Sequence, residues 1–194
     1  MAKLYKQFGK SSERVRRIVS LILFSVVLLW IGVIFYFSTR PPDESHKQSH
    51  FVYRVIKKID SVLDFSNTEL FKKMERRVKI LWFGTEYVPA EMVIRKTAHF
   101  GLYLVFGFLT ALTFFWWKGD IIIAAVVGVT LPSTYAIFDE YNQIFYRRGA
   151  SLNDVVIDSS GALTGTLFFL VLLSVVLFIK ELKHAKSRLK EVER

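Results

Sequence analysis

The chain has 194 residues and a formal net charge of +10, and 52% of it is hydrophobic and 15% aromatic, a more apolar make-up than a soluble domain of this length carries. With no cysteine, disulfides, thiol catalysis and thiolate metal sites are excluded. The basic residues flank apolar runs instead of forming one stripe, which argues against nucleic acid and for attraction to anionic lipid head groups or wall polymers.

A bilayer core of about 30 Å needs about 20 mostly apolar helical residues, because no water is present there to satisfy the backbone. The first such run, about 18–37, is uncharged. It lacks the small-residue cleavage pattern of a secretory signal and reads as a retained anchor. The connection that follows, 38–96, begins with an irregular piece from Ser38 to Ser49 that holds Pro41 and Pro42. Phe51, Val52, Val55, Ile56, Ile59, Val62 and Leu63 then recur at helical spacing, and Leu70, Phe71, Met74, Val78, Leu81 and Trp82 form a second stripe. These predict two basic amphipathic helices lying at the outer membrane surface or roofing the bundle. Asp64 to Thr68 reads as a break, with Ser66 or Asn67 available to cap the second helix.

The second span, about 97–117, and the third, about 121–138, are separated only by Lys118, Gly119 and Asp120, which predicts a tight helical hairpin. The fourth, about 155–179, carries Gly161 and Gly165 at the small-xxx-small spacing that lets helices approach closely. Ser151 or Asn153 is placed to cap it. The expected fold is therefore all-α: a four-transmembrane-helix bundle with amphipathic interfacial helices in the long first loop. One membrane domain, 18–179, lies between basic tails at 1–17 and 180–194.

Lys3, Lys6, Lys10, Arg14, Arg16 and Arg17 precede the first span, and Lys180, Lys183, Lys186, Arg188, Lys190 and Arg194 follow the last. An even number of spans puts both termini on one side, and the positive-inside tendency makes that side the cytoplasm. The long loop is also basic, but its acids offset much of that charge and long loops follow the tendency poorly.

Polar residues at membrane depth carry the functional information. Lys96 and His99 open the second span, Asp139, Glu140 and Gln143 close the third, and Asp154 and Asp158 open the fourth. Alternating span direction brings these groups to one end of the bundle, the outer end if the termini are cytoplasmic. Lys96 with His99, Asp139 with Gln143, and Asp154 with Asp158 are three or four residues apart and share helical faces. Ionisable groups at this depth are costly and usually face inward, so an outward-opening polar pocket is expected. The plainer readings are solvated interfacial acids, a hydrogen-bonding histidine, and Asp154 as a charge at a helix N-terminus.

At these residues the sequence resembles the VanZ-like family of bacterial integral membrane proteins, named for a protein associated with resistance to the glycopeptide teicoplanin. The likeness rests on RKTAHFGLYLVFGFL from Arg95, AIFDEYNQIF from Ala136 and RRGASLNDVVIDSSGALTG from Arg147. It implies a polar signature at Lys96, His99, Asp139, Glu140, Gln143, Arg148, Asp154 and Asp158. Asn142 stands where relatives often carry His, and Tyr146 and Arg147 stand in place of Pro-Gly. The resemblance implies a multi-pass cell-envelope protein and does not establish an enzyme.

Four functional readings follow. As an enzyme at the outer leaflet, the protein would act on a lipid-linked or wall-derived substrate. His99 would be the acid or base, Asp139 or Asp158 would orient it, and Lys96, Glu140, Gln143, Arg148 and Asp154 would bind substrate. A divalent cation on Asp139, Glu140, Asp154 and Asp158 is chemically reasonable, although no spacing is diagnostic of a metal. As a non-enzymatic binder, the protein would use the same pocket to recognise a membrane lipid, a lipid-linked intermediate or a glycopeptide. A transporter is disfavoured because the polar groups gather at one end only. The fourth reading is a purely structural hydrogen-bond network.

Overall fold

The computed structural model describes residues 13–64, 66–146 and 149–192. Lys3, Lys6, Lys10, Arg147, Arg148 and Arg194 lie outside the described residues. The elements are α1 (Glu13–Ser38), α2 (Pro42–Leu63), α3 (Glu69–Phe83), α4 (Ala90–Lys118), α5 (Ile121–Gln143), a 3₁₀ turn (Ile144–Tyr146) and α6 (Leu152–Val192), with no strand among the described residues. Helices α1, α4, α5 and α6 are long and apolar enough to cross a membrane, so the chain is a multi-pass membrane protein.

The apolar runs mark the spans but understate the helices. Helix α4 begins at Ala90 and α6 continues to Val192, because Lys, Arg and Glu end a hydrophobic run without disfavouring helix. Lys96 and His99 therefore sit one to three turns inside α4, held by a formed backbone. The α4–α5 hairpin closes as its sequence demands. Gly119 takes a left-handed φ of 68° and donates its N–H to Phe115 O, a conformation that suits glycine. Asp120 Oδ1 then accepts from Ile122 N at 2.8 Å and Ile123 N at 3.1 Å, capping α5.

The long connection departs from expectation in two places. The piece from Ser38 to Ser49 is not irregular: α2 starts at Pro42, whose ring presets the first helical φ and whose missing N–H costs nothing there. Neither Ser66 nor Asn67 caps α3. Thr68 does, accepting from Phe71 N. Ser66 instead donates its N–H and hydroxyl to Asp60 at 2.8 and 2.6 Å, and Asn67 bonds Asp64 at 2.6 Å. Much of the apolar stripes of α2 and α3 is exposed, at Phe51, Val62, Leu70 and Leu81, as in helices that lie in a membrane interface, while Trp82 packs on α4.

Three helices form the core. Helices α4 and α6 make the most extensive contact, and α5 packs against both. Where lipid and protein are equally apolar, association relies on close backbone approach, and the glycines permit it. A Cβ on Gly161 would meet Phe100 O, one on Gly165 would meet Leu104 O, and one on Gly107 would meet Ala162 O. Thr166 is buried in the same seam, its Oγ1 3.4 Å from Gly107 O. Helix α1 packs on α4 and is tied to it by Trp30 Nε1, which donates to Leu102 O at 2.9 Å. Helix α2 lies against α4 beside it.

Candidate functional site

The end of the bundle where α4 and α6 begin and α5 ends gathers the polar residues. Lys96 reaches from α4 to α6, its Nζ lying 3.0 Å from Asp154 Oδ1. The same ammonium lies 3.4 Å from Trp82 O and 4.5 Å from the Phe83 ring centroid, both at the end of α3. Asn153 Nδ2 donates to Trp82 O at 2.6 Å, so Asn153 fastens α3 to α6 and does not cap α6. Trp82 also stacks at a tilt on Phe100, centroids 6.1 Å apart. One orphan-prone carbonyl at a helix end, Trp82 O, is thus met by two side chains from the spans.

One turn deeper, His99 Nδ1 lies 3.6 Å from Asp158 Oδ1. Asp158 is fully enclosed while the His99 side chain keeps 21% of its surface accessible. This separation is within ion-pair reach and longer than a strong hydrogen bond, as catalytic pairs often are before substrate arrives. Asp139, on α5, completes the group: one ligand atom each from His99, Asp139 and Asp158 lie within 4.8 Å of one another. Tyr103, one turn on from His99 along α4, is buried with its hydroxyl facing Asp139.

The remaining acids are differently occupied. Glu140 Oε1 accepts Ser151 N at 2.6 Å, and its Oε2 accepts Gln143 Nε2 at 3.0 Å. Gln143 Nε2 also lies 3.4 Å from Asp139 Oδ2. Glu140 and Gln143 therefore form a buried latch between the end of α5 and the residue that precedes α6. Ser151 O in turn accepts from Asp154 N at 3.0 Å, which starts the helix.

Lys96, His99, Asp139, Glu140, Gln143, Asp154 and Asp158 thus converge. Arg148 is outside the described residues. Within the cluster, charge sorts into an outer Lys96–Asp154 pair and an inner His99–Asp139–Asp158 group. A divalent cation would find the inner group a better ligand set than the four carboxylates expected. Glu140 and Asp154 already serve Ser151 and Lys96, and an imidazole nitrogen takes their place. The cluster itself is enclosed, with Asp139, Glu140 and Gln143 each under 5% exposed. The cavity beside it, about 790 Å³, has His99 in its wall and a mainly apolar lining.

Three contributors escaped the sequence reading. Trp82 acts through a backbone carbonyl, which no residue type betrays. Ser151 acts through its backbone N–H. Tyr103 was detectable, since it stands four residues from His99 on one helical face.

No curated protein and no solved structure matches the chain. The model of the VanZ/LLP1 family matches residues 22–174, a stretch that holds all four spans' apolar centres and the whole polar cluster. The chain is a membrane protein of the VanZ/LLP1 family.

Proposed function

We propose that this protein acts in the cell envelope on a lipid-linked or wall-derived substrate at the polar end of its bundle, with His99 as general acid or base. The observation that carries the reading is the two-sided setting of His99. One edge of the imidazole faces the enclosed Asp158 carboxylate, and the ring also lines an open cleft. A buried carboxylate on one nitrogen fixes the ring, while the accessible edge meets the reacting group. Asp139 shares the orienting role. Lys96 and Asp154 set the charge at the rim, and a divalent cation on His99, Asp139 and Asp158 is the metal-assisted form of the same reading. With both termini in the cytoplasm this end faces outward, where wall precursors and glycopeptides such as teicoplanin are met.

The test is turnover by the purified full-length chain of a radiolabelled lipid-linked wall precursor in mixed micelles, followed by thin-layer chromatography. Wild type should generate a new species, and His99→Ala should slow it roughly 100- to 10,000-fold, the range general acid–base catalysis supplies. No conversion by wild type under any metal supplementation, or undiminished conversion by His99→Ala, overturns the enzymatic reading.

The enclosure of Asp139, Glu140, Gln143 and Asp158 favours a second reading, a binder that alters access of glycopeptides to the wall without turnover. In that case Lys96→Gln and Asp154→Asn give graded changes in teicoplanin susceptibility and no product appears.

A further inference from the structure

The cleft beside His99 lies between α1, α2 and α4, outside the polar cluster. Its α4 wall is the face formed by Ile94, Ala98, Gly101 and Val105, at helical spacing, opposite Trp30 of α1. Arg95 and Lys47 also line it, and no carboxylate does among the described residues. From Arg95 to Val105 the helix rises about 15 Å at about 1.5 Å per residue. That is half of a hydrocarbon core of about 30 Å, so the cleft runs from the polar end to the middle of the membrane and spans one leaflet. Its volume, about 790 Å³, falls in the range of about 300–1,000 Å³ that bound small molecules need.

We infer that this cleft binds one hydrocarbon chain of a membrane phospholipid of net negative charge, whose phosphate sits on Arg95 and Lys47 beside His99. Depth and charge select this occupant. A one-leaflet apolar slot with Arg95 and Lys47 at its rim matches an amphiphile whose anionic head lies at the interface. Moving a chain from bilayer to protein gains little, because both are apolar. Selectivity must then come from the head group, where guanidinium and ammonium hold phosphate oxygens through charge-assisted bonds. The inference deepens the functional reading by naming the substrate class, and it is tested by occupancy alone, without turnover.

Two glycines supply a matched pair of variants. Gly101 faces the cleft and Gly32 faces a separate shallow groove on α1 that holds no basic residue. A Cβ at either meets nothing within 4 Å. Gly101→Phe therefore starts its ring from an open position on the cleft wall, and Gly32→Phe does the same at the control groove; unchanged thermal midpoints of both variants check that the packing is intact. The experiment is native mass spectrometry of the full-length chain released from micelles containing equal phosphatidylglycerol and phosphatidylcholine. Wild type and Gly32→Phe should retain one phosphatidylglycerol, preferred roughly tenfold or more by two cations near a membrane surface. Gly101→Phe should lose the bound lipid, and Arg95→Gln with Lys47→Gln should keep occupancy but lose the preference. Retention by Gly101→Phe equal to wild type, or equal retention of both lipids by wild type, overturns the inference. A wild-type chain that holds lipid without converting any precursor removes the enzymatic reading and leaves this one standing.

Discussion

At the scale of single residues, the two kinds of acid in this cluster should respond differently to substitution. Glu140 spends both oxygens on Ser151 N and Gln143 Nε2. Glu140→Ala leaves Ser151 N without that acceptor and Gln143 Nε2 with only its longer contact to Asp139, and a buried orphan costs about 1–3 kcal/mol. Its melting temperature in detergent should fall, and Glu140→Gln, which can still accept from Ser151, should recover part of the loss. Equal melting of Glu140→Ala and wild type would show that the latch is not structural. The convergence of Lys96, His99, Asp139 and Asp158 was legible from spacing and span direction. Their division of labour was not, because it depends on which carboxylate meets a backbone N–H and which meets an imidazole, and both look alike in sequence.

The elements test packing. Gly165 is replaceable by alanine on propensity grounds, since glycine in a helix interior is about 1 kcal/mol worse. Its added Cβ, however, would enter Leu104 O of α4, and forcing atoms into a tight seam costs about 1–3 kcal/mol. Gly165→Ala should therefore lower the thermal midpoint, whereas Gly32→Ala, with open space around it, should leave it unchanged or raise it. A higher midpoint for both would remove the close α4–α6 contact from the account. The apolar runs located every span, and Gly119 with Asp120 announced the hairpin. The start of α4 at Ala90 and of α2 at Pro42 was hidden, because charge ends a hydrophobic pattern without ending a helix. The capping role of Thr68 was hidden too, since Ser66, Asn67 and Thr68 are all competent caps and Asp60 decides by taking Ser66.

For the molecule as a whole, the proposed orientation puts the cluster outside and both basic tails in the cytoplasm. The chain has no native cysteine, so single cysteines report sidedness without background. Thr85→Cys, between α3 and α4, should react with an impermeant maleimide in intact cells, and Lys186→Cys only after permeabilisation. The reverse pattern would turn the cluster toward the cytoplasm and remove wall-derived substrates from consideration. The central claim is that the His99 group is chemical equipment and not a fastening. It is tested most directly by measuring thermal midpoint and precursor turnover side by side for His99→Ala, with Glu140→Ala as the structural counterpart. The account predicts that turnover of His99→Ala falls far beyond any loss of thermal midpoint, and that Glu140→Ala loses both in proportion. A His99→Ala protein whose turnover falls only as far as its stability does would contradict it.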